Sequence, residues 1–346
     1  MNNAFQINKK TTELSATAFQ DIDFQSLIEA GKPVLIRGAL DNPPLIAAAK
    51  SSRQAAYDYL LSEGQTGPLL EFIAEQGVDG RFFYNQEVNG FNFKADFVSL
   101  ESFFLQLEDS LQAADGRALY LGSADIGKNF PHMLQANGMT LNSGVFEQFS
   151  TRAGIWIGNQ TTAATHFDVS NNIAVCMAGR RRFTLFPPEQ IQNLYPGPLD
   201  PTPGGQVVSM FNPNKPNFER FPYAKSAIAA AEVAELEPGD VLVYPAMWWH
   251  QVEALADFNV MINFWWNQVP AHIDDPMSLL MHGMLSLRDR PDHEKKAWRN
   301  LFDYYVFGDA ETPREHLPEH AQGALAPMDE SNARRLRLQI LKKINR

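Results

Sequence analysis

At 346 residues the chain has room for one large domain or two ordinary ones, and 45% hydrophobic with 20% charged residues describes a globular protein rather than a disordered one. A net charge of −11 argues against a nucleic-acid surface and against attraction to anionic membranes, though it would suit a basic peptide. The single cysteine, Cys176, excludes an internal disulfide and fits a reducing compartment.

The opening residues, MNNAFQINKKTTELSATAFQ, lack the apolar core of a secretion signal, and no run is long enough to cross a bilayer, so the expected location is cytoplasmic. Residues 1–115 read as N-terminal α/β elements that pack on a core. KPVLIRG (Lys32–Gly38) is a short buried strand, and PPLIAAAKSSRQAAYDYLLSEG has helical spacing. RFFYNQEVNGFNFKADF places an Asn-Gly hairpin signal between two aromatic-rich runs. SLESFFLQLEDSLQAAD is an amphipathic helix opening on a serine cap.

From Leu119 to Trp266 the pattern changes to short apolar strands separated by turns: ALYLG, AGIWIG, NIAVCMAG, RRFTLF, AEVAEL, DVLVYP, HQVEAL and FNVMINFWW. Eight such strands with Gly and Pro punctuation predict a barrel or jelly roll. PPEQIQNLYPGPLDPTPGGQ interrupts them as a short helix followed by a loop. Helical spacing returns after Pro270 in three runs, and about eighty residues are too few for a second independent core. The expected architecture is mainly β with helical additions: elements over 1–115, a core over 116–268 and a helical region over 269–346.

TTAATHFDVSNN (Thr161–Asn172) sets a histidine and an aspartate two residues apart in a strand-like stretch. Alternate strand residues share a face, so His166 and Asp168 project together, and a carboxylate inside a fold needs a partner. His250 follows the Pro238-Gly239-Asp240 turn at the junction of two late strands. Two imidazoles and one carboxylate form the donor set of non-haem Fe(II) oxygenases, which leaves coordination positions open. An isolated His-x-Asp is a weak signal. A second copy, His272-Ile273-Asp274, precedes Pro276 and a helical run, and is assigned to helix capping.

Arg181 follows the Ala178-Gly179 turn and shares its strand face with Phe183 and Leu185, whereas Arg180 and Arg182 share the other. A guanidinium on an apolar face demands an anionic partner and binds carboxylate in bidentate fashion.

THFDVSNNIAVCMAGRRRFTLFPPEQIQNLYPGPLD, together with PGDVLVYPAMWWHQVEAL and NVMINFWW, resembles the cupin-like, JmjC-type 2-oxoglutarate oxygenases, and within them the asparaginyl-hydroxylase branch. The resemblance runs from about Leu119 to Trp266. It implies a double-stranded β-helix (cupin/jelly-roll) core, Fe(II) held by His166, Asp168 and His250, and 2-oxoglutarate and O2 as cosubstrates. Arg181 stands where that branch carries lysine for the far carboxylate. Tyr120 matches the tyrosine that bonds the same carboxylate, and Asn172 and Asn263 match asparagines near cosubstrate and iron. The branch's Thr-Pro before the metal histidine is absent; Thr161, Thr162 and Thr165 are the alternatives, with Thr162 expected to meet the cosubstrate. Trp265 is expected to be packing.

The implied activity is hydroxylation of a peptide or protein side chain or of a small molecule, with release of succinate and CO2. A metal-dependent cupin enzyme without 2-oxoglutarate is the alternative within enzymes, and a non-catalytic sensor or scaffold the alternative outside them. The apolar C-terminal runs LLMHGMLSL, AWRNLFDYYVF and RRLRLQILKKI predict a homodimer through these helices.

Overall fold

The computed structural model describes residues 7–345 except 16, 66, 142–145 and 147. Its strands in chain order are β1 (Thr12–Leu14), β2 (Val34–Ile36), β3 (Leu69–Ala74), β4 (Arg81–Phe82), β5 (Lys94–Val98), β6 (Ala118–Asp125) and β7 (Thr151–Gly158), followed by β8 (Thr162–Phe167), β9 (Asn171–Ala178), β10 (Arg181–Phe186), β11 (Glu232–Leu236), β12 (Val241–Tyr244), β13 (Trp249–Ala254) and β14 (Asn259–Trp266). They divide between a nine-stranded sheet, ordered β1-β2-β12-β9-β14-β7-β6-β3-β5, and a five-stranded sheet, ordered β11-β10-β13-β8-β4. Strands β7 to β14 divide four to each sheet, alternating between them except that β10 and β11 are neighbours in the smaller one, and every pairing among them is antiparallel. That is a jelly roll. ALYLG, counted among the eight core strands from sequence, is instead β6, which extends the larger sheet; the strand carrying His166 takes its place.

Strand β9 shows why the runs are so apolar. All of its residues are buried, because both of its faces are covered. Ile173, Val175 and Met177 pack outward against Leu45, Ile46, Leu60, Phe103 and Leu107 from the helices Pro44–Ser51, Arg53–Glu63 and Leu100–Ala113. Ala174 and Cys176 point inward, against Phe183, Leu185, Val252 and Met261. Burying each large side chain of that kind stabilises the fold by about 1.5–3 kcal/mol. Gly179 closes the turn between β9 and β10 at φ +72°, and a Cβ there would lie 2.5 Å from the Phe258 carbonyl oxygen. Only glycine fits, and this turn fixes where Arg181 starts β10.

Two local readings change. The helical stretch after Pro43 is two helices, because Ser52 is extended and its hydroxyl accepts from the Ala55 N–H at 3.0 Å, starting the second helix. The hairpin turn is wider than Asn-Gly alone: Asn85 N–H bonds the Gly90 carbonyl at 2.9 Å and Asn92 N–H the Phe83 carbonyl at 3.0 Å. The Ser99 cap is as expected, accepting from the Ser102 N–H at 3.1 Å.

Residues Met1–Gln268 form one compact unit and Val269–Arg346 a second. The second contains the helices Pro276–Leu287, Asp292–Phe302 and Glu330–Ile344. Asp275 caps the first of them, accepting from the Met277 N–H at 3.0 Å. In the second His-x-Asp copy, Asp274 pairs with Arg337 at 2.5 Å and His272 Nε2 bonds the Met328 carbonyl at 2.8 Å. So that copy is structural, with Asp275 rather than Asp274 as the cap. Pro313 and Ala333 alone are buried among the described residues of this unit. No helix among the described residues is long and apolar enough to cross a membrane.

Candidate functional site

His250 pairs across to Leu185 on one side and to His166 on the other, so both imidazoles face the interior between the sheets. Their ring centroids are 4.2 Å apart. Asp168 lies just past the end of β8, where its carbonyl accepts from the Met247 N–H at 2.8 Å and ties it to the loop before β13. The ligand atoms of His166, Asp168 and His250 all fall within 4.8 Å of one another.

The ring nitrogens are already sorted. His166 Nδ1 sits 2.8 Å from the Ala164 carbonyl and His250 Nδ1 3.0 Å from the Trp248 carbonyl. A carbonyl only accepts, so each Nδ1 carries the proton and each Nε2 presents a lone pair toward Asp168. Burial, reinforced by the neighbouring His166, lowers the pKa of His250 to about 4, which keeps it neutral as a metal ligand requires. Burial opposes ionisation of Asp168. The charge the facing histidines carry when protonated, together with the donors on Asn172 and Trp265, outweighs it and holds the carboxyl below its ordinary range. Those donors reach Oδ2 at 2.9 Å from Asn172 Nδ2 and 3.2 Å from Trp265 Nε1. The three side chains fit a divalent metal in donor type, protonation and outer support.

Along β10, Arg181 lies on the same face as Leu185, two side-chain rows from His250. The strand rise makes that separation about 13 Å between Cα atoms. Arg181 is only 2% exposed, yet its Nε and Nη2 have no hydrogen-bond partner. Its neighbours are Tyr120, which is within hydrogen-bonding reach, and Cys176. Burial disfavours the charged guanidinium and pushes the Tyr120 phenol up to about 12. A buried cation with two idle donors is a cradle for an anion.

Asn172 and Asn263 also face the interior, and Asn263 Nδ2 donates to Asn172 Oδ1 at 3.1 Å. Asn263 Oδ1 is buried without a partner. Thr162 is not brought to this face. From the His166–His250 pair to the Ala163–Val252 pair, β8 advances three residues and β13 two, a bulge that turns Ala163 inward and leaves Thr162 opposite Glu253 on the outer face. Thr165 stays buried, its hydroxyl unpartnered.

Three aromatic residues escaped the sequence reading. Tyr244 is fully buried with its ring 4.8 Å from that of His250, and burial raises its phenol well above the usual range. Trp156 stacks on Tyr120 at 5.5 Å, and its indole N–H is buried without a partner. Trp265 does more than pack, since it holds Asp168. An aromatic residue in an apolar strand reads as core, and only the unsatisfied or shared polar atom reveals more.

A family model described as "Cupin-like domain" matches residues 20–272. Among curated proteins, HSPB1-associated protein 1 of Bos taurus is 32% identical over 151 residues, covering 42% of this chain and 30% of that protein. tRNA wybutosine-synthesizing protein 5 of Gallus gallus is 31% identical over 160 residues, 44% of either chain. tRNA wybutosine-synthesizing protein 4 of Gibberella zeae is 25% identical over 252 residues, 70% of this chain and 22% of that one. The matched stretches thus span less than half of each relative.

Proposed function

The chain belongs to the cupin-like domain family, and on that premise we propose that it is an Fe(II)- and 2-oxoglutarate-dependent oxygenase. The observation that carries this reading is the buried guanidinium of Arg181, whose Nε and Nη2 have no partner, on the face that also bears the metal triad. A metal-dependent cupin without a dicarboxylate cosubstrate has no use for it, and a scaffold has no use for the triad.

His166, Asp168 and His250 would hold the iron, with Asn172 and Trp265 fixing the carboxylate. Arg181 and Tyr120 bind the far carboxylate of 2-oxoglutarate, and the Asn263 amide serves the end nearer the metal. Phe183, Leu185, Val252 and Met261 lie between those two polar ends and exclude water. When bound, the iron supplies the reaction with O2 that couples decarboxylation of 2-oxoglutarate to hydroxylation of the second substrate. That substrate is a peptide or protein side chain or a small molecule.

Incubation of Fe(II)-loaded protein with 2-oxoglutarate under air is the test, with succinate read by NMR and a +16 product sought among peptides and metabolite extracts. Succinate formation that depends on both iron and His250 supports the reading. Failure of the wild-type protein to bind 2-oxoglutarate in the presence of a divalent metal overturns it.

A homodimer through the C-terminal unit is part of the same proposal. Leu279, Leu280, Met281, Leu285, Trp298, Phe307 and Leu338 are all exposed there, Leu285 by 83% and Phe307 by 74%. Apolar surface of that extent is normally covered, and a second copy is the proposed cover.

A further inference from the structure

We infer that Trp156 is a third donor to the far carboxylate, completing a cradle of Arg181, Tyr120 and the Trp156 indole N–H; the inference rests on the reading of 2-oxoglutarate as cosubstrate. Three observations converge. The first is the idle donor: Trp156 Nε1 is buried with no partner among the described residues. An N–H in that position forgoes a hydrogen bond with water, at a cost a ligand oxygen would offset.

The second is placement. Trp156 pairs with Met261, which pairs in turn with Cys176, so the three occupy one row of the larger sheet. Cys176 and Tyr120 are the groups that interact with Arg181, and Trp156 stacks on Tyr120 at an interplanar angle of 20°. Trp156 therefore adjoins the Arg181 end of the interior, while its ring also lies 6.0 Å, edge-on, from that of Trp265, which belongs with Tyr244 and Asn172 to the row at the metal end.

The third is the valence of the ligand itself. The bulge in β8 turns Ala163 inward and Thr162 outward. Thr161 shares the facing of Ala163; it is buried and its carbonyl accepts from the N–H of Ala254, which pairs with Arg181, so one threonine hydroxyl does lie at this end. A carboxylate has four lone-pair directions and Arg181 with Tyr120 satisfy only part of them. The indole N–H, held in place by its stack on Tyr120, supplies a further one at little entropic cost because the ring is already fixed.

The proposal makes the effect specific to the dicarboxylate. Trp156→Phe keeps an aromatic ring and removes the N–H. Calorimetry on Mn(II)-loaded protein should show 2-oxoglutarate affinity at least about tenfold weaker in the variant, the lower bound for one hydrogen bond to a charged acceptor. Affinity for 2-oxobutyrate, which lacks the far carboxylate, should be unchanged. If W156F unfolds, β-(3-benzothienyl)alanine at position 156 replaces the N–H with sulfur in a ring of the same shape and is measured the same way. Equal 2-oxoglutarate affinity in the wild type and the variant overturns the role of Trp156 and leaves the oxygenase reading standing. Equal weakening for both acids assigns Trp156 to structure alone and also overturns it. No 2-oxoglutarate binding by the wild type overturns both readings together.

Discussion

Replacing Arg181 with methionine should stabilise the ligand-free protein while destroying its affinity for 2-oxoglutarate. The side chain is 2% exposed and two of its nitrogens bond nothing, so the folded protein carries a buried cation without the anion that would balance it. Exchanging buried charge for an apolar side chain of similar volume gains about 1–4 kcal/mol. Each kcal/mol corresponds to a rise in melting temperature of about 2–4 °C in a domain of this size. The same exchange removes one partner of a buried charge pair in the complex, a loss of about 2–5 kcal/mol, or roughly 30-fold to several-thousand-fold in affinity. Thermal melts followed by circular dichroism, with Mn(II) and with or without 2-oxoglutarate, read both effects. Ligand at about 100 times its dissociation constant should stabilise the wild type by about 2.7 kcal/mol. R181M should start higher and gain no more than about 0.9 kcal/mol at that concentration, with its metal affinity intact. A lower melting temperature for metal-loaded R181M, or an undiminished rise on adding 2-oxoglutarate, refutes the argument.

Alanine at His166, Asp168 or His250 should remove tight metal binding, since three ligands leave no redundancy; stoichiometric metal retained by any of these variants, measured by elemental analysis after gel filtration, defeats the assignment. Glu71 is a second buried group without full satisfaction, its Oε1 unpartnered and its pKa raised by burial. The folded protein therefore holds that proton more tightly than the unfolded chain, and stability is lost as pH rises from the ordinary carboxylate pKa through the raised folded value. Glu71→Gln should melt higher than wild type at pH 8 and at about the same temperature at pH 4; the opposite trend refutes the sign. Light scattering at micromolar concentration should give twice the 38.8 kDa chain mass, falling to a monomer on truncation at Asp275; a wild-type monomer defeats the proposed dimer.

The strands were legible because the jelly roll buries both faces of its central strands, and such strands announce themselves as unbroken apolar runs. NIAVCMA in β9 and VLVY in β12 are of that kind, every residue buried. The triad was legible for the converse reason: a histidine or aspartate set in such a run is costly unless it has work to do. Period-two reasoning carried Arg181 to the inner face correctly, since β10 pairs with β13 without interruption. Thr162, chosen among three threonines on the resemblance, lies on the outer face because β8 contains a bulge, and one extra residue reverses the facing of everything beyond it. Ser52 was missed as a break because the apolar spacing runs on across it, although serine is a favoured cap and its hydroxyl accepts from the Ala55 N–H to start the second helix.

The polar atoms left idle inside the jelly roll form a pattern that apolar periodicity cannot express. Trp156 Nε1, Arg181 Nε and Nη2, and Asn263 Oδ1 are each buried and unpaired, and all four belong to residues on the interior face. An unmet buried donor or acceptor costs about 1–3 kcal/mol, so several together forfeit a sizeable share of the stability of an ordinary domain. Glu71 Oε1 and Arg81 Nε and Nη2 are idle as well, but the four interior atoms are gathered in the interior with the metal triad, where binding would satisfy them, and their chemistry describes what would fit. The guanidinium and indole offer only donors, so that end takes an anion; the amide and the imidazole lone pairs offer acceptors, so the other end takes a cation and the groups around it. Between them lie Phe183, Val252 and Met261, which hydrogen-bond nothing through their side chains and set the length of an apolar middle. A molecule with an anionic tail, a short carbon chain and a metal-binding head would meet these demands at once, and this agreement is the support for proposing 2-oxoglutarate over the alternatives.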